Sequence, residues 1–136
     1  MTTANPRILV VEDEPSMQRL LSHVLRNTGF TVELADNGLK GRDALERDHG
    51  YALILSDVMM SGIDGIELCR WAKSEERVRT IPFVMLSSRA QKGEREEGLS
   101  AGADVFMTKP FDVDKLVETI TGLIDTGETT VRDSNG

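Results

Sequence analysis

The stretch Ala-Leu-Ile-Leu-Ser-Asp at residues 52–57 decides the fold, because it is an apolar run that ends in a carboxylate. Leu53, Ile54 and Leu55 follow one another without a polar interruption, which predicts a parallel strand covered on both faces. Such a strand lies inside a sheet, and its last residue emerges at the carboxyl edge, where open α/β sheets have their ligand crevices. We therefore expect Asp57 to be the working residue of a site at that edge.

Four more segments have the pattern of strands. Residues 8–11 and 82–86 are continuous apolar runs and predict two further central strands. Residues 31–35 and 104–108 alternate, which predicts two strands at the edges of the sheet, the first with Val32 and Leu34 on one side. Five strands that alternate with five helices predict an α/β fold: a doubly wound five-stranded parallel sheet with the strand order 2-1-3-4-5.

Composition and charge narrow the class of protein. The chain has 136 residues, 39% of them hydrophobic, which suits one domain with one core. A net charge of -7 argues against direct nucleic-acid binding, and no apolar run approaches the ~20 residues that span a bilayer. Residues 1–7 are too short and polar for a signal peptide, and Cys69 is the only cysteine, so we expect a cytoplasmic protein with no membrane contact.

Two segments near the carboxyl terminus are expected to be weakly ordered. The helix predicted at residues 92–101 contains Gly93 and Gly98, which lower helix propensity, and Leu99 is nearly its only large apolar anchor. We expect this helix to be loosely held and able to move. Residues 126–136 are polar without periodicity, so we expect a domain at residues 1–125 followed by a disordered tail or the start of a linker.

Polar side chains end four adjacent strands of the predicted sheet. Glu12 and Asp13 follow strand 1, Asp57 ends strand 3, Ser87 ends strand 4 and Lys109 follows strand 5. Each of these residues alone is more often a cap, a turn residue or a solvated charge than part of a site. Their convergence at one edge, near the switch point of the sheet, favours a common function.

Three carboxylates at this edge imply a bound cation. Two carboxylates ~5 Å apart repel by roughly 3 kcal/mol at an effective dielectric constant of about 20. Hard oxygen ligands favour Mg²⁺, with Mn²⁺ as a second choice, because no His and Cys set offers a zinc site. With the metal absorbing charge, Asp57 can attack phosphorus and form an aspartyl phosphate, whose oxygens the metal and Lys109 would hold.

Four motifs in order along the chain resemble those of a known family. They are Ile-Leu-Val-Val-Glu-Asp-Glu-Pro (8–15), Asp-Val-Met-Met-Ser-Gly-Ile-Asp-Gly (57–65), Met-Leu-Ser-Ser-Arg (85–89) and Ala-Gly-Ala-Asp-Val-Phe-Met-Thr-Lys-Pro-Phe (101–111). Together they resemble the receiver domain of two-component response regulators, over roughly residues 8–124. The strand order 2-1-3-4-5 is known from receivers, so it agrees with the resemblance without being independent of it.

The resemblance implies a magnesium-dependent phosphorylation switch. Asp57 would accept a phosphoryl group from a phosphohistidine on a sensor histidine kinase or a phosphotransfer protein. The domain would catalyse this transfer and its own dephosphorylation, although it is not an enzyme in the usual sense. Glu12 and Asp13 would bind Mg²⁺ directly or through water, with the backbone carbonyl of Met59 as a further ligand.

The resemblance also implies how the switch would be transmitted. Ser87 matches the hydroxyl that swings toward the phosphoryl group, and Phe106 matches the aromatic residue that turns inward behind it. Lys109 matches the phosphate-binding cation, and the Lys109-Pro110 bond matches the family's cis peptide. The helix at 92–101, the last strand and the last helix would form the face that controls a downstream protein or a fused output domain, or pairs two copies in a phosphorylation-dependent homodimer.

Three other interpretations of the sequence stay open. A flavodoxin shares the architecture, but it needs a phosphate-binding loop after strand 1, where residues 12–14 are acidic here. A receiver-like adaptor that is never phosphorylated would keep the fold without the chemistry. The chain could also be a receiver excised from a longer response regulator or hybrid kinase, although we slightly favour a stand-alone receiver.

Overall fold

The structure is a computed structural model that describes residues 5–60, 62–88 and 92–125. Strands and helices alternate strictly along the chain. The strands are β1 (Arg7–Val11), β2 (Thr31–Ala35), β3 (Leu53–Asp57), β4 (Phe83–Ser87) and β5 (Val105–Thr108). The helices are α1 (Pro15–Thr28), α2 (Gly38–Arg47), α3 (Gly65–Ser74), α4 (Lys92–Ser100) and α5 (Val113–Asp125). The tail predicted at residues 126–136 lies outside the described residues.

The five strands form one parallel sheet in the order β2-β1-β3-β4-β5, which confirms the predicted topology. The three continuous apolar runs are the three central strands, and the two alternating segments are its edges. In the register of the sheet, Asp57 pairs with Leu86, and Ser87 pairs with Thr108. The carboxyl ends of β1, β3, β4 and β5 therefore meet at one edge.

Apolar side chains form a layer on each face of the sheet. One layer includes Leu45 of α2 and Ile66 of α3, and the other includes Leu25 of α1 and Ile120 of α5. Every residue of β3 and β4 is buried, because both faces of these strands are covered. None of the described helices has the length and apolar character needed to cross a membrane.

Two details of the side-chain packing differ from the prediction. Leu34, which the alternation places on the same side of β2 as the buried Val32, is 41% exposed. It lies on an edge strand and lines an open groove with Arg19 and Arg26 of α1, which does not cover it. Leu99, expected to anchor α4, is also 41% exposed. Among the residues of this segment whose burial is described, Gly98 of α4 and Ala101 just after it are buried, so small residues take the buried positions that Leu99 does not.

Candidate functional site

Three carboxylates converge at the carboxyl edge of the sheet. Glu12 and Asp13 directly follow β1, and Asp57 is the last residue of β3. One oxygen from each of the three carboxylates lies within 4.8 Å of the others. Glu12 and Asp57 are only 1% and 8% exposed, whereas Asp13 is open to solvent. Two acids of the cluster are therefore buried, and the third is exposed to solvent.

Lys109 is the cation that faces this cluster. Its Nζ lies 3.2 Å from Glu12 Oε1 and 3.4 Å from Asp57 Oδ1. The backbone amide of Lys109 donates to the carbonyl of Ser87 at 2.7 Å, which ties the end of β5 to the end of β4. The bond from Lys109 to Pro110 is a cis peptide. Lys109 thus pairs at once with the acids that end β1 and β3.

Backbone amides and one glutamine fix the two buried acids. The amide of Val58 donates to Asp57 Oδ1 at 2.9 Å, and the amide of Glu14 donates to Glu12 Oε2 at 3.1 Å. Gln18 of α1 donates from Nε2 to the carbonyl of Glu12 at 2.6 Å. The carboxylates are therefore held by the chain segments that leave the strands, which leaves little freedom of orientation.

The first residue of α3 packs directly against Asp57. A Cβ atom at Gly65 would lie 2.2 Å from the carbonyl oxygen of Asp57, so any side chain there would displace the strand end or the helix. The amide of Gly65 also donates to the carbonyl of Val58 at 2.8 Å. Asp64 caps the helix in a reciprocal capping box with Glu67. The sequence gave no signal of this contact.

The electrostatics of the cluster favour a divalent cation. Burial raises the pKa of Asp57, and Lys109 opposes that shift. Burial, followed by the charge of Asp57, raises the pKa of Glu12. One ammonium does not offset three carboxylates, and a hard divalent ion with oxygen ligands would remove the remaining repulsion. The donor set therefore fits Mg²⁺ or Mn²⁺.

Ser87 at the end of β4 and Phe106 in β5 both contact α4. The Ser87 hydroxyl donates to the carboxylate of Glu94. Phe106 is 4% exposed and belongs to the core layer. Its backbone carbonyl accepts a hydrogen bond of 3.1 Å from Arg95. Sequence reasoning missed Glu94 and Arg95, because a helix with such a weak apolar stripe does not reveal which face it turns to the sheet.

The sequence model of the response regulator receiver domain matches residues 8–121, which is most of the chain and includes every residue of the cluster. The chain belongs to the response regulator receiver domain family. Receivers bind magnesium at an acidic pocket, and this chain has an acidic cluster formed by Glu12, Asp13 and Asp57.

Relatives of this receiver occur in different kinds of signalling protein. It is 35% identical over 119 residues to the DNA-binding dual master transcriptional regulator RpaA of Synechocystis, covering 88% of the chain and 49% of RpaA. The signal receiver domain of a Syntrophus aciditrophicus signal transduction histidine kinase is 36% identical, with a TM-score of 0.83 and coverage of 88% and 90% of the two chains.

A second similar structure contains a magnesium ion. The receiver domain of a Pseudomonas aeruginosa sensor histidine kinase, with magnesium coordinated in its active site cleft, is 32% identical with a TM-score of 0.83, covering 90% of this chain and 99% of that one. This receiver spans about half the length of the curated relatives it matches.

The receiver brings together most of the side chains that the sequence singled out. Glu12, Asp13, Asp57 and Lys109 form one cluster, and Ser87 is tied to Lys109 through the backbone. The side chain of Met59 is largely exposed beside the site.

Proposed function

We propose that this receiver accepts a phosphoryl group on Asp57 from a phosphohistidine of a sensor histidine kinase or phosphotransfer protein. The observation that carries the proposal is the 3.4 Å approach of Lys109 to an Asp57 carboxylate that two other acids surround. A buried carboxylate beside a fixed ammonium is suited to attack phosphorus, because the ammonium can hold the phosphoryl oxygens as charge builds on them.

The proposed transfer changes one bond for another. An Asp57 carboxylate oxygen forms the new bond to phosphorus, while the bond from phosphorus to the histidine nitrogen breaks. The imidazole leaves with that electron pair. Lys109 binds a phosphoryl oxygen throughout, and its contact with Glu12 keeps the ammonium at the edge of the sheet. The chain thus contributes a nucleophile and positioned charge, which is what phosphoryl transfer needs from a protein.

The acidic cluster is the proposed site of Mg²⁺, with Mn²⁺ as an alternative. Glu12, Asp13 and Asp57 would hold the ion by their carboxylates, directly or through water, and Met59 would contribute its backbone carbonyl. When bound, the ion neutralises charge on the phosphoryl oxygens and so lowers the repulsion between them and Asp57.

Phosphorylation of Asp57 is proposed to alter the face formed by α4, β5 and α5. The partner of that face is proposed to be a downstream protein target, a fused output domain or a second phosphorylated copy.

RpaA is described as DNA-binding, and this chain matches half of it. A receiver within a longer regulator or hybrid kinase therefore stands beside the stand-alone receiver as a proposal. The cytoplasmic location stays a prediction.

Acetyl phosphate, a small phosphodonor, tests the proposed function. With Mg²⁺ present, we expect the intact mass of the protein to increase by one phosphoryl group, and chelation of the metal to prevent the increase. Asp57→Asn should abolish the modification. Asp64→Asn removes the same charge seven positions away and keeps a capping side chain, so it should be modified like the wild type. An unchanged wild-type mass would favour the adaptor interpretation.

A further inference from the structure

Two adjacent residues of α4 each contact one of the two residues expected to switch. The Glu94 carboxylate accepts the hydrogen bond of the Ser87 hydroxyl. Arg95 donates from Nη1 to the carbonyl of Phe106 at 3.1 Å, and its guanidinium lies 5.8 Å from the centre of the Phe106 ring. The first turn of α4 is therefore linked to the end of β4 and to the middle of β5 by polar groups.

Apolar packing adds little to these polar contacts. One turn after Glu94, Gly98 lies so close to the sheet that a Cβ atom there would be 2.9 Å from both Met85 Sδ and a carbon of the Phe106 ring. Leu99, the large apolar residue of the helix, is 41% exposed. A helix that buries so little apolar surface depends more than its neighbours on individual hydrogen bonds. The contact between Ser87 and Glu94 reaches the edge of the proposed phosphorylation site.

We propose that Glu94 is a positioning residue that competes with a phosphoryl group on Asp57 for the hydroxyl of Ser87. This inference rests on the proposed function of Asp57 as phosphoacceptor. A serine hydroxyl has a single hydrogen to donate, so a bond to a phosphoryl oxygen requires that the bond to Glu94 be given up. The charge added at Asp57 also repels the Glu94 carboxylate, which favours the same exchange.

The exchange gives the site a direct mechanical link to α4. When Ser87 turns to the phosphoryl group, the first turn of α4 loses the hydrogen bond between Glu94 and Ser87, while Arg95 still contacts β5. Phe106 is buried in the same structure in which Ser87 donates to Glu94, so the ring does not have to move inward before the hydroxyl is released. Breaking the hydrogen bond between Ser87 and Glu94 thus costs free energy, which the interactions of the phosphoryl group on Asp57 must exceed.

Beryllofluoride binding with Mg²⁺, which imitates the phosphoryl group, tests the competition. Glu94→Ala removes the acceptor, and we expect it to tighten beryllofluoride binding by about tenfold. Glu96→Ala is the matched control: it removes the same charge from an exposed position of the same helix and gains the same helix propensity, so its affinity should stay within about twofold of wild type. Equal affinities of the two variants would overturn the proposal.

Two further measurements distinguish the role of Glu94 from the proposed function of Asp57. One is beryllofluoride affinity in Ser87→Ala protein, and the other is amide hydrogen exchange without ligand. With Ser87→Ala in place, Glu94→Ala should no longer change the affinity, and a persistent tenfold effect would show that Glu94 acts by charge alone. Without any ligand, amide hydrogen exchange over residues 93–100 should be faster in Glu94→Ala than in Glu96→Ala. Equal exchange would overturn the contact itself. A wild type that binds no beryllofluoride would instead overturn the phosphoacceptor proposal, and the competition with it.

Discussion

The ammonium of Lys109 lies 3.2 Å from the carboxylate of Glu12, across 97 positions of the sequence. Both side chains are largely removed from solvent, and Asp57 shares the same ammonium. Burying an acid without its partner is costly, so this contact connects the stability of the fold with the chemistry of the site. Substitutions at these residues therefore test the stability of the fold and the chemistry of the site together.

Replacing Lys109 should destabilise the protein. In Lys109→Met, Glu12 and Asp57 lose their shared cation while they remain buried, and we expect the free energy of unfolding at pH 7 to fall by about 2 kcal/mol. Lys40→Met is the control, because its ion pair with Asp36 is solvent-exposed and should be worth less than about 0.5 kcal/mol. Urea unfolding measures both, and equal losses would contradict the account.

Removing the Asp57 carboxylate should stabilise the protein near neutral pH. Burial raises the pKa of Asp57 in the folded state, so the folded protein binds a proton more readily than the unfolded chain does. Ionised Asp57 therefore lowers stability above its folded pKa, and this penalty fades as the pH falls toward the ordinary pKa of an aspartate.

Asp57→Asn removes that penalty. We expect a gain in unfolding free energy at pH 7 that shrinks steadily as the solution is acidified toward pH 4. Thermal or urea unfolding across this range measures the difference between variant and wild type. A gain that grew on acidification would mean that the Asp57 carboxylate is stabilised, not penalised, in the fold.

Magnesium should stabilise the folded protein through the acidic cluster. A ligand that binds only the folded state adds about 1.4 kcal/mol when its concentration is ten times its dissociation constant. We expect Mg²⁺ to raise the melting temperature of the wild type and to have a much smaller effect on Asp13→Asn. An equal rise in both proteins would place the ion elsewhere.

The two glycines of α4 should respond to alanine in opposite directions. Gly93→Ala introduces a Cβ atom with nothing within 4 Å and should stabilise the helix by about 0.5–1 kcal/mol. Gly98→Ala pushes a Cβ atom into Met85 and Phe106 and should destabilise the protein by about 1–3 kcal/mol. Denaturant unfolding of the two variants decides the matter, since effects of the same sign would disprove the close packing at Gly98.

Sequence patterns were sufficient for the sheet and for the main cluster. Continuous apolar runs can be buried only when both faces of a strand are covered, so residues 8–11, 53–55 and 82–86 had to be central. Once the strand order is known, residues that directly follow strands must meet at the carboxyl edge. The meeting of Glu12, Asp57 and Lys109 follows from these two facts.

Contacts made by helices could not be derived in the same way. α4 packs close to β4 and β5, and Gly98 permits this short distance because it has no side chain. The periodicity of apolar residues does not encode such a distance. For the same reason, Leu99 was expected to anchor the helix but is 41% exposed, and Glu94 attracted no attention. The close contact of Gly65 with Asp57 likewise depends on where α3 begins in space. Such contacts are set by tertiary packing, in which a glycine matters because it has no side chain to keep two elements apart.

Borohydride trapping tests the central claim most directly. Borohydride reduces an aspartyl phosphate to homoserine, so the protein is treated with acetyl phosphate and Mg²⁺, reduced and digested, and the peptide that contains residue 57 is sequenced by mass spectrometry. The account predicts homoserine at position 57, and none when the metal is chelated. Homoserine at another aspartate, or an unmodified position 57 in protein that has gained a phosphoryl group, would contradict it.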